Sequence, residues 1–308
     1  MIYTVTLNPS LDYVMQVKSL LEGEVNRSEK ECIMPGGKGI NVSLILRNLG
    51  VSSVALGFVA GFTGKEIERF LEERGVAADF VFVEQGMSRI NVKLHAEKET
   101  EINGAGPAVD DNALNTLLEK IESLTCEDTL VIAGSVPGSI PQSIYADIAK
   151  RLCDKGVSFV VDAEKALLKD VLSYKPFLIK PNHKELADFF GCEIHTVEDV
   201  KKYAVELKRL GAKNVLVSMA GDGAVLISSD ENVYYCSTPD GKVIHSTGAG
   251  DSAVAGFLYA KQNDFSDADA LRFSVCAGSA TAFSEDLADK QSVFDLFEKF
   301  DTSFVEIL

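Results

Sequence analysis

Residues 129–162 contain TLVIA (129–133), PQSIYADIAKRLCD (141–154) and SFVVD (158–162), and this stretch decides the fold. The first and last pieces are short and apolar at nearly every position. That pattern fits strands covered on both faces, as in a parallel sheet. The middle piece has helical spacing. Strand, helix, strand in this form is the repeating unit of a doubly wound α/β sheet.

Working outward, the same alternation continues. Further strands are expected at 2–7, 54–58, 177–180, 214–218 and 224–228, and further helices at 39–48, 65–74, 110–123 and 196–210. Gly50, Gly75, Gly156 and Gly211 each follow a helical run, where a left-handed residue closes a helix most cheaply as glycine. Thr196 with Asp199 has the spacing of a capping box. Residues 12–34 and 87–105 break the rhythm. Ile90-Asn91-Val92-Lys93-Leu94-His95 alternates in polarity, the mark of a half-exposed strand, so both stretches read as a small β-flap inserted into the main domain. After residue 248 the chain reads as helical to about Ser284, with no strand until the end. There is no internal repeat.

The chain has 308 residues, 30 Lys+Arg against 46 Asp+Glu, and a formal net charge of −16. At this length about 75% of the unfolded surface can be buried. The acidity argues against general nucleic-acid binding, which needs a basic face. An anionic ligand would need a local reversal of sign. Six cysteines, none in a C-x-x-C pair, indicate reduced thiols rather than a zinc ribbon or disulfide scaffold. MIYTVTLNPSLD shows no signal-peptide pattern, and no apolar run approaches the ~20 residues of a membrane span. These features together point to a cytoplasmic protein.

Four segments could carry chemistry. Ser246-Thr247-Gly248-Ala249-Gly250-Asp251-Ser252 follows an apolar pair, Val243-Ile244, taken as a short strand, and opens a helix. Small residues there admit a ligand close to the unpaired amides of the first turn, an anion site. Asp251 would be tolerated beside a phosphate as a base with a cation nearby; it could equally be a cap on a Gly-rich turn. The match to G-x-G-x-x-[GA] is formal, because a second helical run (266–284) follows where a dinucleotide fold needs a strand. A Walker A loop is absent. Pro35-Gly36-Gly37-Lys38-Gly39-Ile40-Asn41-Val42 opens another helix, and Asn41 among apolar neighbours needs a partner, since a buried unpaired amide costs roughly 1–3 kcal/mol. Asn182 and Glu185 in Lys180-Pro181-Asn182-His183-Lys184-Glu185 could hold hydrated Mg²⁺ or form a capping box. Ser218-Met219-Ala220-Gly221-Asp222-Gly223 reads as a hairpin turn or as a nucleotide-facing loop. The four histidines show no metal-ligand spacing. Asp12 follows the first strand, at the sheet end where α/β ligands bind.

Taken together, these segments resemble the PfkB (ribokinase-like) family of carbohydrate kinases. The likeness rests on Gly36, Gly37 and Asn41 (G-G-x-x-x-N), on Gly248 to Asp251 (G-A-G-D) and on Asn182 and Glu185 (N-x-x-E), and it covers nearly the whole chain. TVTLNPSLDY (4–13), SRINVK (88–93) and TEINGAGP (100–107) make the chain most similar to members that phosphorylate fructose 1-phosphate. Members acting on tagatose 6-phosphate are close siblings. His245-Ser246 stands where the broader family often has Asp-Thr.

The resemblance implies a ribokinase-like α/β fold: one domain over 1–308, with a mostly parallel central sheet flanked by helices and a β-lid formed by about 12–34 and 87–105. It implies ATP-dependent conversion of fructose 1-phosphate to fructose 1,6-bisphosphate, with tagatose 6-phosphate as the alternative acceptor and a non-catalytic phosphosugar sensor as a third reading. ATP and Mg²⁺ are the implied cofactors, and a homodimer through the lid the implied partner. Asp251 would be the base and the amides of Gly248, Ala249 and Gly250 would hold the γ-phosphoryl group. Asp12, Gly37, Asn41 and Asn103 would grip sugar hydroxyls. Lys38 and Arg89, joined by Arg27, would pair with the sugar's own phosphate. Ser218, Gly221 and Gly223 would line the ATP site, with Lys180 and Asn182 near its phosphates and Glu185 organising Mg²⁺ through water. Phosphoryl transfer needs positioning and local charge neutralisation above all, which such a set would supply.

Overall fold

The structure, a computed structural model, describes residues 1–163, 165–301 and 305–307. Its strands are β1 Ile2–Thr6, β2 Ser10–Gln16, β3 Lys30–Gly36, β4 Ser53–Ala60, β5 Ala77–Ala78, β6 Val81–Val83, β7 Arg89–His95, β8 Glu99–Asn103, β9 Thr129–Ala133, β10 Ser158–Asp162, β11 Leu178–Ile179, β12 Asn214–Ser218, β13 Ala224–Ile227, β14 Val233–Cys236 and β15 Val305–Ile307. Its α-helices are α1 Lys38–Leu49, α2 Gly61–Glu73, α3 Asp111–Glu122, α4 Ile144–Asp154, α5 Lys165–Val171, α6 His183–Phe190, α7 Val197–Arg209, α8 Ala249–Gln262, α9 Asp267–Ala282 and α10 Lys290–Lys299.

The main sheet runs β15-β14-β13-β12-β11-β10-β9-β1-β4-β5, with β6 also paired to β4. From β5 to β12 the pairings are parallel; from β12 to β15 they are antiparallel. The apolar runs have a simple cause. Along β9, Ile132 points into one core and Val131 into the other; along β10, Val161 and Val160 divide the same way, as do Val215 and Leu216 on β12. One core lies under α3, α4 and α7, the other under α1, α8, α9 and α10. Burying such side chains contributes roughly 1.5–3 kcal/mol each. Gly50, Gly75, Gly156 and Gly211 all have positive φ behind their helices, and Thr196 with Asp199 forms the capping box.

A second sheet, ordered β3-β2-β7-β8, is formed by residues 10–36 and 89–103. Its central pair, β2 and β7, is parallel, and its two outer pairs are antiparallel. One departure from the sequence reading stands near the helix at residue 249. Val243-Ile244 is not a strand. Both residues are more than half exposed, and the Ile244 amide donates to the Ala282 carbonyl at the end of α9. Two β-branched residues in succession suggested a strand, but no neighbouring strand receives them. α8 is then followed directly by α9, so the formal dinucleotide match has no second parallel strand behind it.

Candidate active site

Three helices, α1, α6 and α8, begin just beyond the main sheet on the side where its parallel strands end. α8 begins at Gly248, whose φ of +79° suits glycine, and no side chain caps it. The first turn is held from behind: the Ser252 hydroxyl lies 2.7 Å from Thr281 Oγ1 on α9 and donates to the Gly248 carbonyl at 2.9 Å. Close packing sets the helix pair, because a Cβ at Gly256 would stand 2.8 Å from that of Ala277. The Ala249 amide donates to the Ser246 carbonyl at 3.3 Å, while no side chain caps the Gly250 and Asp251 amides, which can meet a ligand. Asp251 lies in this turn, only 6% exposed.

α1 begins at Lys38, after Gly37 at φ +124°. A Cβ on Gly36, the last residue of β3, would fall 2.4 Å from Asp12 Oδ1, so glycine is what leaves room for that carboxylate. The Thr6 hydroxyl accepts from the Ile40 amide at 3.1 Å, tying the helix start to the end of β1. One turn in, Asn41 finds its partner. Its Nδ2 donates to Asp251 Oδ2 at 2.7 Å, joining two motifs separated by 210 positions.

Lys38, expected beside the sugar's own phosphate, pairs with Asp162 Oδ1 at 2.8 Å. Burial alone would push the Lys38 ammonium down, but Asp162, with Asp251 and Glu185 behind it, holds it above the usual lysine value. Asp162 ends β10 and was missed in the sequence, where it read as the last residue of a strand. Its other oxygen lies 3.3 Å from Lys180 Nζ. The Lys180 ammonium in turn sits 3.1 Å from where a Cβ of Gly250 would be, against the start of α8. Burial and the Asp162 charge push Asp251 up to about 6, against the pull of Asn41, Lys38 and Lys180.

Asp12 is 7% exposed, on β2 of the second sheet. It accepts from Ser10 Oγ at 2.7 Å and Asn91 Nδ2 at 3.0 Å and pairs with Lys93 Nζ at 2.8 Å. Ser10, Asn91 and Lys93 were not assigned from sequence, although the period-two run 90–95 already put Asn91 and Lys93 on one face. A cavity of about 470 Å³ lies between this sheet and the body, lined by Asp12, Lys93, His95, Asn41, Leu44 and His245 among others. The position flagged in the sequence lines this cavity, and among the described residues nothing hydrogen-bonds to the buried His245 Nδ1. Arg89 opens β7 and donates from Nε to the Asn8 carbonyl at 2.9 Å; burial lowers its pKa, partly offset by Asp12. Asn103 is exposed, opposite Asn91 in the register. Arg27 is exposed on the β2–β3 connection, away from the cavity lining.

On the other side, Asn182 and Glu185 form the capping box of α6, with Asn182 Oδ1 accepting from Lys184 and Glu185 and Glu185 Oε2 accepting from the Asn182 amide. Asn182 bridges to Ser218 at the end of β12. Ser218 leads into the turn of the β12–β13 hairpin, where Gly223 at φ +92° lies against the Cys236 carbonyl, and Thr238 Oγ1 donates to the Gly221 carbonyl at 2.7 Å. Lys180, Asn182, Glu185 and Ser218 are thus contiguous, and Lys180 links them to Asp251.

This geometry can be set beside known proteins. The family model for pfkB family carbohydrate kinases matches residues 5–292. The 1-phosphofructokinase of Bacillus subtilis is 47% identical over 296 residues, covering 96% of this chain and 97% of that protein. The D-tagatose-1-phosphate kinase of Bacillus licheniformis is 37% identical over 290 residues, covering 94% and 95%. The crystal structure of phosphofructokinase-2 from Escherichia coli in complex with substrates and products superimposes with a TM-score of 0.92 at 28% identity, covering 97% of this chain and 99% of that one. With a match across nearly its full length and relatives well above 30% identity, the chain belongs to the pfkB family of carbohydrate kinases.

Proposed function

We propose that this protein transfers the γ-phosphoryl group of ATP to the 6-hydroxyl of fructose 1-phosphate, giving fructose 1,6-bisphosphate. The observation that carries the reading is the Asn41–Asp251 contact: a buried carboxylate at an uncapped helix start, beside a cavity of sugar-phosphate size. Asp251 takes the hydroxyl proton as the phosphoryl group arrives. The Gly248, Ala249 and Gly250 amides and Lys180 receive the charge that spreads over the phosphoryl oxygens. Lys38, turned to Asp162, belongs with this group. Arg89 holds the sugar's own phosphate, a task its planar fork suits. Asp12, set by Lys93, and Gly37, Asn41 and Asn103 orient the sugar. Ser218, Gly221, Gly223 and Asn182 line the nucleotide side.

Mg²⁺ fits the donor set. Among the described residues no three His, Cys, Asp or Glu side chains form a metal cage, as suits an ion held mainly by water and phosphate oxygens. Glu185, with one oxygen used by its own helix cap, would accept from a metal-bound water. The ion would supply charge neutralisation to the ATP phosphates. Residues 12–34 and 87–105 serve as a lid that excludes water, the competing acceptor. The lid's exposed apolar surface, Ile102 included, is where a second copy would dock, which sedimentation would read as a dimer mass. Six free cysteines, three of them exposed, suit a reducing compartment such as the cytoplasm. Among the described residues no helix is long and apolar enough to cross a membrane.

The second reading is the C4 epimer, tagatose 1-phosphate, favoured by the Bacillus licheniformis relative. That relative's sugar carries its phosphate on C1, not on C6 as in the tagatose sibling expected from sequence. A silent phosphosugar sensor does not need Asp251. The test is ADP release with fructose 1-phosphate, tagatose 1-phosphate, tagatose 6-phosphate and fructose 6-phosphate. Fructose 1-phosphate should have the highest kcat/KM; a higher value for another sugar reassigns the substrate, and no turnover with any of them refutes the kinase reading.

A further inference from the structure

We infer that Asp162 is a positioning residue for phosphoryl transfer: its two carboxylate oxygens hold the Lys38 and Lys180 ammonium groups in place beside the helix start that carries Asp251. The inference rests on the kinase reading above and adds a role to it. Asp162 is 1% exposed, at the last position of β10. A carboxylate that deep is retained in ionised form only when paired. Here each oxygen has its own lysine, at 2.8 Å and 3.3 Å, arriving from different elements, α1 and the end of β11. Burial acts to raise the Asp162 pKa, but the two lysines outweigh it and hold the group below the usual carboxylate range.

Two consequences follow from one anchor. Lys180, only 5% exposed, is kept against Gly250, where a transferred phosphoryl group would meet the helix amides. Two ammonium groups and one carboxylate leave a net charge of +1 beside Asp251, enough to attract a phosphate without fully neutralising the base. The charged groups facing Asp251 are Asp162 from β10, Lys38 from α1 and Lys180 after β11; Asn41 of α1 adds a neutral donor. Glu185 of α6 acts on Lys38. Removing the Asp162 charge takes away the one like charge in this set and leaves the lysine charges that pull Asp251 down, so Asp251 becomes more acidic.

The experiment is a pH titration of the Asp251 carboxyl carbon in protein labelled with ¹³C-aspartate, assigned with Asp251→Asn, in wild type and Asp162→Asn. The wild-type midpoint is expected at about 6, and the Asp162→Asn midpoint below it. An unmoved or raised midpoint overturns the inference. In kinetics, Asp162→Asn should lower kcat about 10- to 100-fold, the scale of misplaced reacting groups, and move the acid limb of its pH profile in the same direction as the carbon titration. A raised Mg²⁺ requirement with an unmoved acid limb would instead make Asp162 a metal ligand and overturn the positioning role. Asp162→Glu guards against loss of folding. It keeps the charge, so the Asp251 midpoint stays, but shifts both lysines by one methylene, so kcat falls; wild-type turnover in this variant also overturns the inference. If the wild type phosphorylates no ketohexose phosphate, the proposed function fails while the carbon titration still decides the role of Asp162.

Discussion

Asp251→Asn should make the protein less active and more stable, and the second effect should depend on pH. The wild-type carboxyl rises from 3.8 to about 6, with burial the largest cause and Asp162 the next. The folded state thus binds this proton more tightly than the unfolded state. The sign follows: below about pH 4 both states are protonated and nothing is lost, between 4 and 6 stability falls as pH rises, and above 6 the full penalty stands. Two pH units correspond to about 3 kcal/mol as an upper figure. Asparagine has nearly the same shape, keeps an oxygen to accept from Asn41 Nδ2, and carries no charge to desolvate. The variant should therefore melt on the order of 5 °C higher at pH 8, with the gain fading toward pH 4.5. Turnover with ATP and fructose 1-phosphate should drop about 10²- to 10⁴-fold, the usual worth of a general base. Wild-type kcat itself should fall roughly tenfold per pH unit below about 6. Scanning calorimetry across pH 4.5–8, paired with discontinuous ADP measurement, reads both effects. A variant less stable than wild type at pH 8, or a stability gap flat with pH, would refute the burial reasoning; near-normal turnover would remove Asp251 from the chemistry.

Arg89→Ala should raise KM for the phosphosugar at least tenfold while ATP affinity barely changes, because Arg89 stands on the second sheet, opposite Ser10 and within the field of Asp12. Equal losses for both ligands in a binding titration would contradict this placement. Gly57→Ala should lower stability by about 2 kcal/mol or more, since a Cβ there would fall 2.0 Å from the Thr6 carbonyl at φ +149° in the β1–β4 pair. An unchanged denaturant midpoint would show that the strands can part without loss.

What the sequence made legible follows from which interactions are local. TLVIA and SFVVD could be read because residues 130–133 and 159–161 face one core and the other in turn, so the covering of both faces leaves its mark within five positions. The short strands β5 and β6 and the helices α5 and α10 carry less signal, being held largely by neighbours distant in the chain. Val243-Ile244 shows the opposite error, a local strand preference with no partner strand to satisfy it. At the site, the glycine segments and Asp251 were legible because close approach to a ligand or backbone demands small residues in fixed order. Asn41 announced that it needed a partner, but only folding could name Asp251, 210 positions away. Lys38 was read toward a phosphate, and only folding shows that a carboxylate stands beside it. A lysine after glycines says that negative charge is near, and does not say whether it is a phosphate or a carboxylate. The carboxylate turned out to be Asp162, whose sequence context is simply the end of a buried strand. An ionisable residue there has no reason to exist for the sheet alone, and that misfit, an acid closing an otherwise apolar run, was the one signal that could have marked it in advance.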